Sequence, residues 1–287
     1  MPSDTPPFTS IAIAGVGLIG GSIALGVRER WPSVRVVGVD RPAVLVHALG
    51  AGAIDRGVER LAEADAVDLV ILAAPVRQNA RLLAELQAGA LASTPITDVG
   101  GTKGDIVRAA RTLGVHERFV GGHPLGGAER GGFGFARPDL FRGRAWIFTP
   151  AGAPPAGLLD RLFALARALG ASPASMDAAA HDRLMAYVSH LPQLAASALM
   201  DVVGTAAAAE GLRYSGKGLV DTTRLASSPP DVWRDICLMN AEAVGEALEH
   251  LIDRLVELRA DLRRGEVIEQ VFGSAGRWRA ELMKGRD

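Results

Sequence analysis

The stretch from Ile11 to Ser22 constrains this chain more than any other. Ile11-Ala12-Ile13-Ala14 is a short apolar run that reads as a buried strand. It passes directly into Gly15-Val16-Gly17-Leu18-Ile19-Gly20-Gly21-Ser22 and then into a helical pattern reaching about Arg30. A Gly-x-Gly-x-x-Gly loop in that strand–turn–helix setting is the mark of a dinucleotide-binding turn. Gly15 allows the tight turn, Gly17 lets backbone approach a pyrophosphate, and Gly20 lets helix pack against strand. Leu18 and Ile19 open the helix, whose unpaired N–H groups face the phosphates.

A second strand, Val34 to Val39, ends at Asp40, about twenty residues past the loop, where a carboxylate bonds the hydroxyls of an adenosine ribose. That carboxylate repels a 2′-phosphate and favours NAD over NADP. Arg41, beside it, is the residue that would greet such a phosphate, so the two neighbours pull in opposite directions. Val67 to Ala74 is a continuous apolar strand closing on Pro75, and Ile96 to Val99 is another closing on Gly100-Gly101, with helical segments around Arg77–Gln87 and Lys103–Leu113. Such alternation predicts a doubly wound parallel sheet of the Rossmann type with ligands at the carboxyl ends of the strands. Ala74, Pro75 and Gly100 then lie where the cofactor lies.

Gly121-Gly122-His123-Pro124-Leu125-Gly126-Gly127 holds one histidine among glycines, after a strand ending near Val120. A structural turn with a solvated imidazole is one reading. Placement at a strand's carboxyl end favours the other, a proton-transferring His123 on a binding loop. A strand at 144–149, a helix at 158–169 and a strand at 172–176 complete an N-terminal domain, residues 1–177. From residue 178 to 287 glycines thin out and long helical patterns take over. One spans about Ala179 to Val203 and is kinked at Pro192, freeing carbonyls beside Ser189 and His190. Another runs from Pro229-Pro230 to about Arg264, with Val244, Leu248, Leu251, Leu255, Leu258 and Leu262 spaced four and three apart as in a core or subunit seam. Between them, a glycine-bearing connection ends in Arg224. This is a surface charge or, at a cleft between two domains, a bidentate carboxylate receptor.

Composition narrows the function classes. Of 287 residues, 48% are hydrophobic, which supports a real core, and the net charge of -1 leaves no excess to neutralise a nucleic-acid backbone. Cys237 is alone, so no internal disulfide forms, as expected of a protein in a reducing cytoplasm. The N-terminus lacks the basic and apolar regions of a signal peptide, and the most apolar run, Val67–Val76, is too short to span a bilayer. No membrane partner and no metal-ligating set are expected.

With these pieces placed, the sequence resembles the prephenate and arogenate dehydrogenases of tyrosine biosynthesis. The likeness covers nearly the whole chain. It rests on the Gly15 loop, Val70-Ile71-Leu72-Ala73-Ala74-Pro75-Val76, Thr97-Asp98-Val99-Gly100, and Gly122-His123-Pro124-Leu125 with Gly127 and Glu129. In the helical part it rests on His181-Asp182, Ser189-His190-Leu191-Pro192, and Asp221-Thr222-Thr223-Arg224-Leu225-Ala226 with Trp233-Arg234-Asp235 and Asn240. The resemblance implies an all-helical C-terminal dimerisation domain, a homodimer, and NAD-dependent oxidative decarboxylation of prephenate. His123 would take the proton of the substrate ring hydroxyl, and Arg224 would hold a carboxylate. Ser189 and Glu129 are implied as substrate neighbours. Many relatives carry serine where Gly101 stands, with Thr102 next door as a substitute, and histidine where Gln193 stands, near the substrate side chain. Arogenate dehydrogenase is the runner-up. An imine or hydroxy-acid reductase would not need His123 and Arg224 together, and a non-catalytic NAD-sensing protein would release no carbon dioxide.

Overall fold

The computed structural model describes residues 5–127 and 130–284. Among these, eight strands form one sheet: β1 Ser10–Ala14, β2 Arg35–Val39, β3 Arg56–Val58, β4 Leu69–Leu72, β5 Ile96–Asp98, β6 Phe119–Pro124, β7 Ala145–Pro150 and β8 Ser172–Ser175. Their order is β3-β2-β1-β4-β5-β6-β7-β8, the outward winding from β1 that alternating strands and helices dictate. β1 is buried along its whole length, and its side chains alternate between two cores. Ile11 and Ile13 point into one, with helices α1 Leu18–Arg30, α2 Pro42–Gly50 and α5 Leu158–Ala168. Ala12 and Ala14 point into the other, with α3 Val76–Glu85 and α4 Gly104–Thr112.

Two features depart from the sequence expectation. β7 runs antiparallel to β6, so the sheet is mixed rather than parallel; residues 125–144 between them contain no crossover helix among the described residues. His123 also does not sit on a loop. β6 continues through it to Pro124, with His123 paired opposite Ile147. Gly121 and Gly122 are required not by a turn but by close approach. A Cβ on Gly122 would lie 2.5 Å from the Asp98 carbonyl oxygen and 3.2 Å from Trp146 Nε1, and one on Gly121 would strike Thr149 Oγ1.

The helical region opens with α6 Ala178–Met185, capped by the Asp177 carboxylate, which accepts from the Ala179 and Ala180 N–H groups. A π turn, Ala186–His190, precedes α7 Leu191–Leu212, which has Pro192 in its first turn. The irregularity expected at Pro192 is thus a π turn over the residues before it, displacing Ser189 and His190 from a regular helix. α8 Lys217–Thr222 and a 3-10 turn, Arg224–Ser227, lead to α9 Pro230–Met239, α10 Ala241–Asp261 and α11 Glu266–Met283. The second long helix of the sequence reading is therefore two, broken at Asn240, whose side chain is used elsewhere.

Here the chain cannot bury its own apolar surface. The helical core comprises Ala186, Val244 and Ala247, with Leu191, Leu194, Ala243 and Leu248 packed on it. The seam proposed from sequence is closed only at its start: Val244 is buried, but Leu255 is 54% and Leu262 69% exposed. Residues Ala178–Leu212 form one helical run that is, by length and composition, apolar enough to cross a membrane, which Val67–Val76 is not; only 11% of its most apolar window is buried within the chain. That run contains the buried His181, Asp182 and His190.

Candidate active site

The glycines of the first turn divide their work as the motif requires. Gly15 has φ +97, and a Cβ there would lie 2.5 Å from the Ala73–Ala74 backbone. A Cβ on Gly20 would strike the Gly15 carbonyl, whereas Gly17 has nothing within 4 Å and leaves room for a ligand. Leu18 and Ile19 form the first turn of α1 and are half-buried. Gly15, Gly17, Asp40, Arg41, Ala74 and Pro75 line a cavity of about 620 Å³ that also meets Glu59 and Arg60.

Asp40 is held by two backbone donors, Val16 N–H at 2.8 Å to Oδ2 and Arg41 N–H at 2.7 Å to Oδ1. The Arg41 side chain is 88% exposed and only 3.9 Å from that carboxylate, so it is free to swing. Arg60 is a second cation on this wall, with no motif in the sequence to mark it. Gly100 is not part of this lining; its N–H donates to Asp98 Oδ2 at 2.8 Å, closing the turn after β5.

The second constellation joins the two halves of the chain. His123 Nδ1 lies 2.9 Å from His181 Nε2, and His181 Nδ1 lies 2.8 Å from Asp182 Oδ1. Asp182 also accepts from the backbone N–H groups of Lys103 at 2.8 Å and Gly104 at 2.7 Å, at the start of α4. Burial pushes the Asp182 carboxyl upward, but the bonds from His181, Gly104 and Lys103 outweigh it and hold the group below its ordinary value of 3.8. An ionised Asp182 can only accept, so His181 Nδ1 carries a proton. His181 Nε2 then accepts from His123 Nδ1–H, and His123 Nε2 is left as a lone pair with no partner among the described residues. Burial, then the charges of His181, Lys103 and His190, press the His123 imidazole well below its ordinary 6.5, so it stands neutral at physiological pH. The arrangement is a buried acid orienting one imidazole that orients another, ending in a base.

Two further groups brace it. Lys103 Nζ and the Asp98 carboxylate form a fully buried ion pair at 2.6 Å, with 0% and 1% exposure. Lys103 Nζ also donates to the Gly122 carbonyl at 2.8 Å, and Asp98 Oδ1 accepts the Gly122 N–H at 3.0 Å, so the pair grips β6 one residue before His123. Asn240 Nδ2, at the break between α9 and α10, donates to the Asp182 carbonyl at 2.8 Å and meets His190 Nδ1 at 3.3 Å. His190 lies edge-on to Trp233, and burial lowers its pKa from 6.5 to about 4 despite the attraction of Asp182.

Gly101 faces this base. A Cβ there would lie 3.8 Å from His123 Nε2 and 3.9 Å from Ile236 Cδ1 of α9. A Cβ at this position would therefore meet His123 and Ile236 at ordinary van der Waals distance, without a clash. Thr102 is 1% exposed and its Oγ1 has no hydrogen-bond partner among the described residues, so it makes no bond to His123. The expected substitution of Thr102 for the serine of relatives is corrected accordingly. Arg224 opens the 3-10 turn just ahead of α9, is exposed, and its guanidinium makes no ion pair among the described residues. Ser189 is half-buried in the π turn. Gln193, expected beside the substrate, is 4% exposed with its amide engaged by the protein. Glu129 lies outside the described residues.

Both halves of the chain match known proteins. Residues 23–173 match the model for the nucleotide-binding domain of prephenate dehydrogenase, and residues 177–271 match the model for its dimerisation domain. The chain belongs to the prephenate dehydrogenase family. It is 34% identical to prephenate dehydrogenase of Bacillus subtilis over 269 residues, covering 92% of this chain and 72% of that one. It is 30% identical to cyclohexadienyl dehydrogenase of Zymomonas mobilis, covering 98% of each. The crystal structure of the Aquifex aeolicus prephenate dehydrogenase with hydroxyphenyl propionate and NAD+ superposes with a TM-score of 0.88 at 31% identity, covering 96% of this chain and 98% of that one. His181, Asp182, Asn240, Asp98 and Lys103 belong to the family-like motifs or flank them, yet carry no individual mark of their roles. The His-Asp dipeptide at a helix start was the one usable signal.

Proposed function

We propose that this protein is an NAD-dependent prephenate dehydrogenase, converting prephenate to 4-hydroxyphenylpyruvate and carbon dioxide. The observation that carries the reading is the His123 Nε2, without a partner among the described residues, oriented by His181 and Asp182 and facing Gly101. The open approach at Gly17 and the acceptor Asp40 fit a dinucleotide with a free ribose 2′-hydroxyl. NAD+ held along Gly17 and Asp40 would supply the hydride acceptor for the carbinol carbon. His123 Nε2 takes the hydroxyl proton as that carbon becomes a carbonyl, and the resulting charge on the imidazole pair is balanced by Asp182. Loss of the ring carboxyl as carbon dioxide aromatises the ring and leaves a phenolate, to which His123 returns the proton. Arg224 holds a substrate carboxylate, and Ser189 stands as a further substrate neighbour.

We place the nucleotide domain at residues 1–177 and the helical domain at 178–287. The open apolar surface of the latter, with Leu262 at 69%, Phe272 at 73% and Trp278 at 72% exposure, supports a homodimer through that domain. The same pairing accounts for the apolar run 178–212, and the lone Cys237 fits a cytoplasmic location. Arogenate is the alternative substrate. The deciding experiment measures NADH formation and carbon dioxide release with prephenate and with arogenate side by side. NADH without carbon dioxide would point to a hydroxy-acid dehydrogenase, and no turnover with either acid would reject the assignment.

A further inference from the structure

Gln193 is expected beside the substrate side chain, and the structure engages that amide with the protein itself. Its side chain sits in the first turns of α7 with 4% of the residue exposed. Nε2 donates to the Leu225 carbonyl at 2.7 Å and to Ser197 Oγ at 3.3 Å. Oε1 accepts from Ser228 Oγ at 3.2 Å. Both amide donors are therefore spent, and one of two acceptor positions is filled. The orientation is unambiguous, because a flipped amide would set an oxygen against the Leu225 carbonyl.

Two of the partners lie at a single feature. Leu225 lies within the 3-10 turn Arg224–Ser227 and Ser228 follows it, and the turn is tightened internally by Ser227 Oγ donating to the Arg224 carbonyl at 3.1 Å. Thr223 Oγ1, just before the turn, donates to the Leu219 carbonyl at 2.7 Å. Without Gln193 this turn would rest on short-range bonds alone, in a connection where no residue from 213 to 231 is buried. With it, the turn is fastened to the same helix that follows the π turn of Ser189 and His190. A guanidinium on an untethered turn must be ordered each time it receives a carboxylate, and that ordering subtracts from binding.

We propose that Gln193 is a positioning residue: it fixes the turn that presents Arg224 to a substrate carboxylate, and it does not read the side chain by which prephenate and arogenate differ. The inference rests on the carboxylate-binding reading of Arg224. It predicts a distinctive kinetic pattern. Gln193→Met keeps the shape and removes all three bonds, so KM should rise by a common factor, roughly five- to fiftyfold, for both substrates. The ratio of kcat/KM for prephenate to that for arogenate should stay within about twofold, with kcat and NAD binding close to wild type. Gln193→His, which restores one donor, should recover part of the loss.

Steady-state kinetics with both acids on the full-length enzyme, combined with a double-mutant cycle against Arg224→Gln, tests this. If Gln193 acts through Arg224, adding Gln193→Met to Arg224→Gln costs little further. A changed substrate ratio in Gln193→Met, or an undiminished extra loss in the double variant, overturns the clamp and returns Gln193 to direct substrate contact. A Gln193→Met enzyme that melts earlier but keeps wild-type KM has lost only stability, and also overturns it. Wild-type kinetics in Arg224→Gln alone would instead remove the carboxylate reading, and the clamp with it.

Discussion

Replacing His181 by phenylalanine tests the relay most directly, because the ring fills the volume while both hydrogen bonds vanish. His181 is fully buried, 2.9 Å from His123 and 2.8 Å from Asp182, so it joins the base to the acid through its two ring nitrogens. In the ground state His123 loses the acceptor that fixes its Nδ1–H tautomer. In the transition state it loses a partner that shares the positive charge taken from the substrate hydroxyl. A hydrogen bond to a charged group contributes about 1.5–3 kcal/mol, which corresponds to a fall in kcat of about 10- to 150-fold. Asp182 keeps the Lys103 and Gly104 N–H groups, so the fold should survive. The pH profile supplies a second readout. His181 is one of the charges that hold His123 below its ordinary value, so its removal should move the acidic limb of kcat/KM toward higher pH. The assay is NADH formation across pH with saturating NAD, with circular dichroism confirming the fold. A folded variant with kcat within threefold of wild type and an unmoved limb would refute the relay.

Three further outcomes are expected. Asp40→Ala should erode the NAD preference: losing one charged contact of about 1.5–3 kcal/mol raises KM for NAD at least tenfold, and equal wild-type efficiency with NADP would shift the assignment to Arg41 or Arg60. Arg224→Gln should lower kcat/KM for prephenate by about tenfold to a few thousandfold, since truncating one half of a desolvated pair costs about 2–5 kcal/mol, while the Kd for NAD stays unchanged. Stability should fall on acidification. His190 holds its proton less tightly folded (about 4) than at its ordinary 6.5, so the unfolded state binds more protons below 6.5, and the loss accumulates to on the order of 3 kcal/mol by pH 4. Chemical denaturation from pH 7 to 4 checks this, and His190→Asn should flatten the slope.

What the sequence determined by itself is what local rules govern. Gly15, Gly17 and Gly20 occupy the conformations their spacing demands, because a turn, a phosphate approach and a helix–strand contact are all settled within a dozen residues. Apolar runs located the central strands, because a strand covered on both faces has no polar face to show. The same local rules misread Gly121 and Gly122. Their small size answers Asp98, Trp146 and Thr149, which are distant in sequence, so a strand passed for a loop. Only the tertiary structure could make the relay, since His123 and His181 are 58 positions apart and Asp182 caps a backbone 79 positions away. Hydrogen-bond partners of that separation depend on how α6 docks against α4 and β6, and no periodicity records the docking. Gln193 shows the same limit in the other direction. Its position beside a substrate followed from resemblance, but which of its atoms are already occupied was decided by Leu225, Ser197 and Ser228 folding onto it.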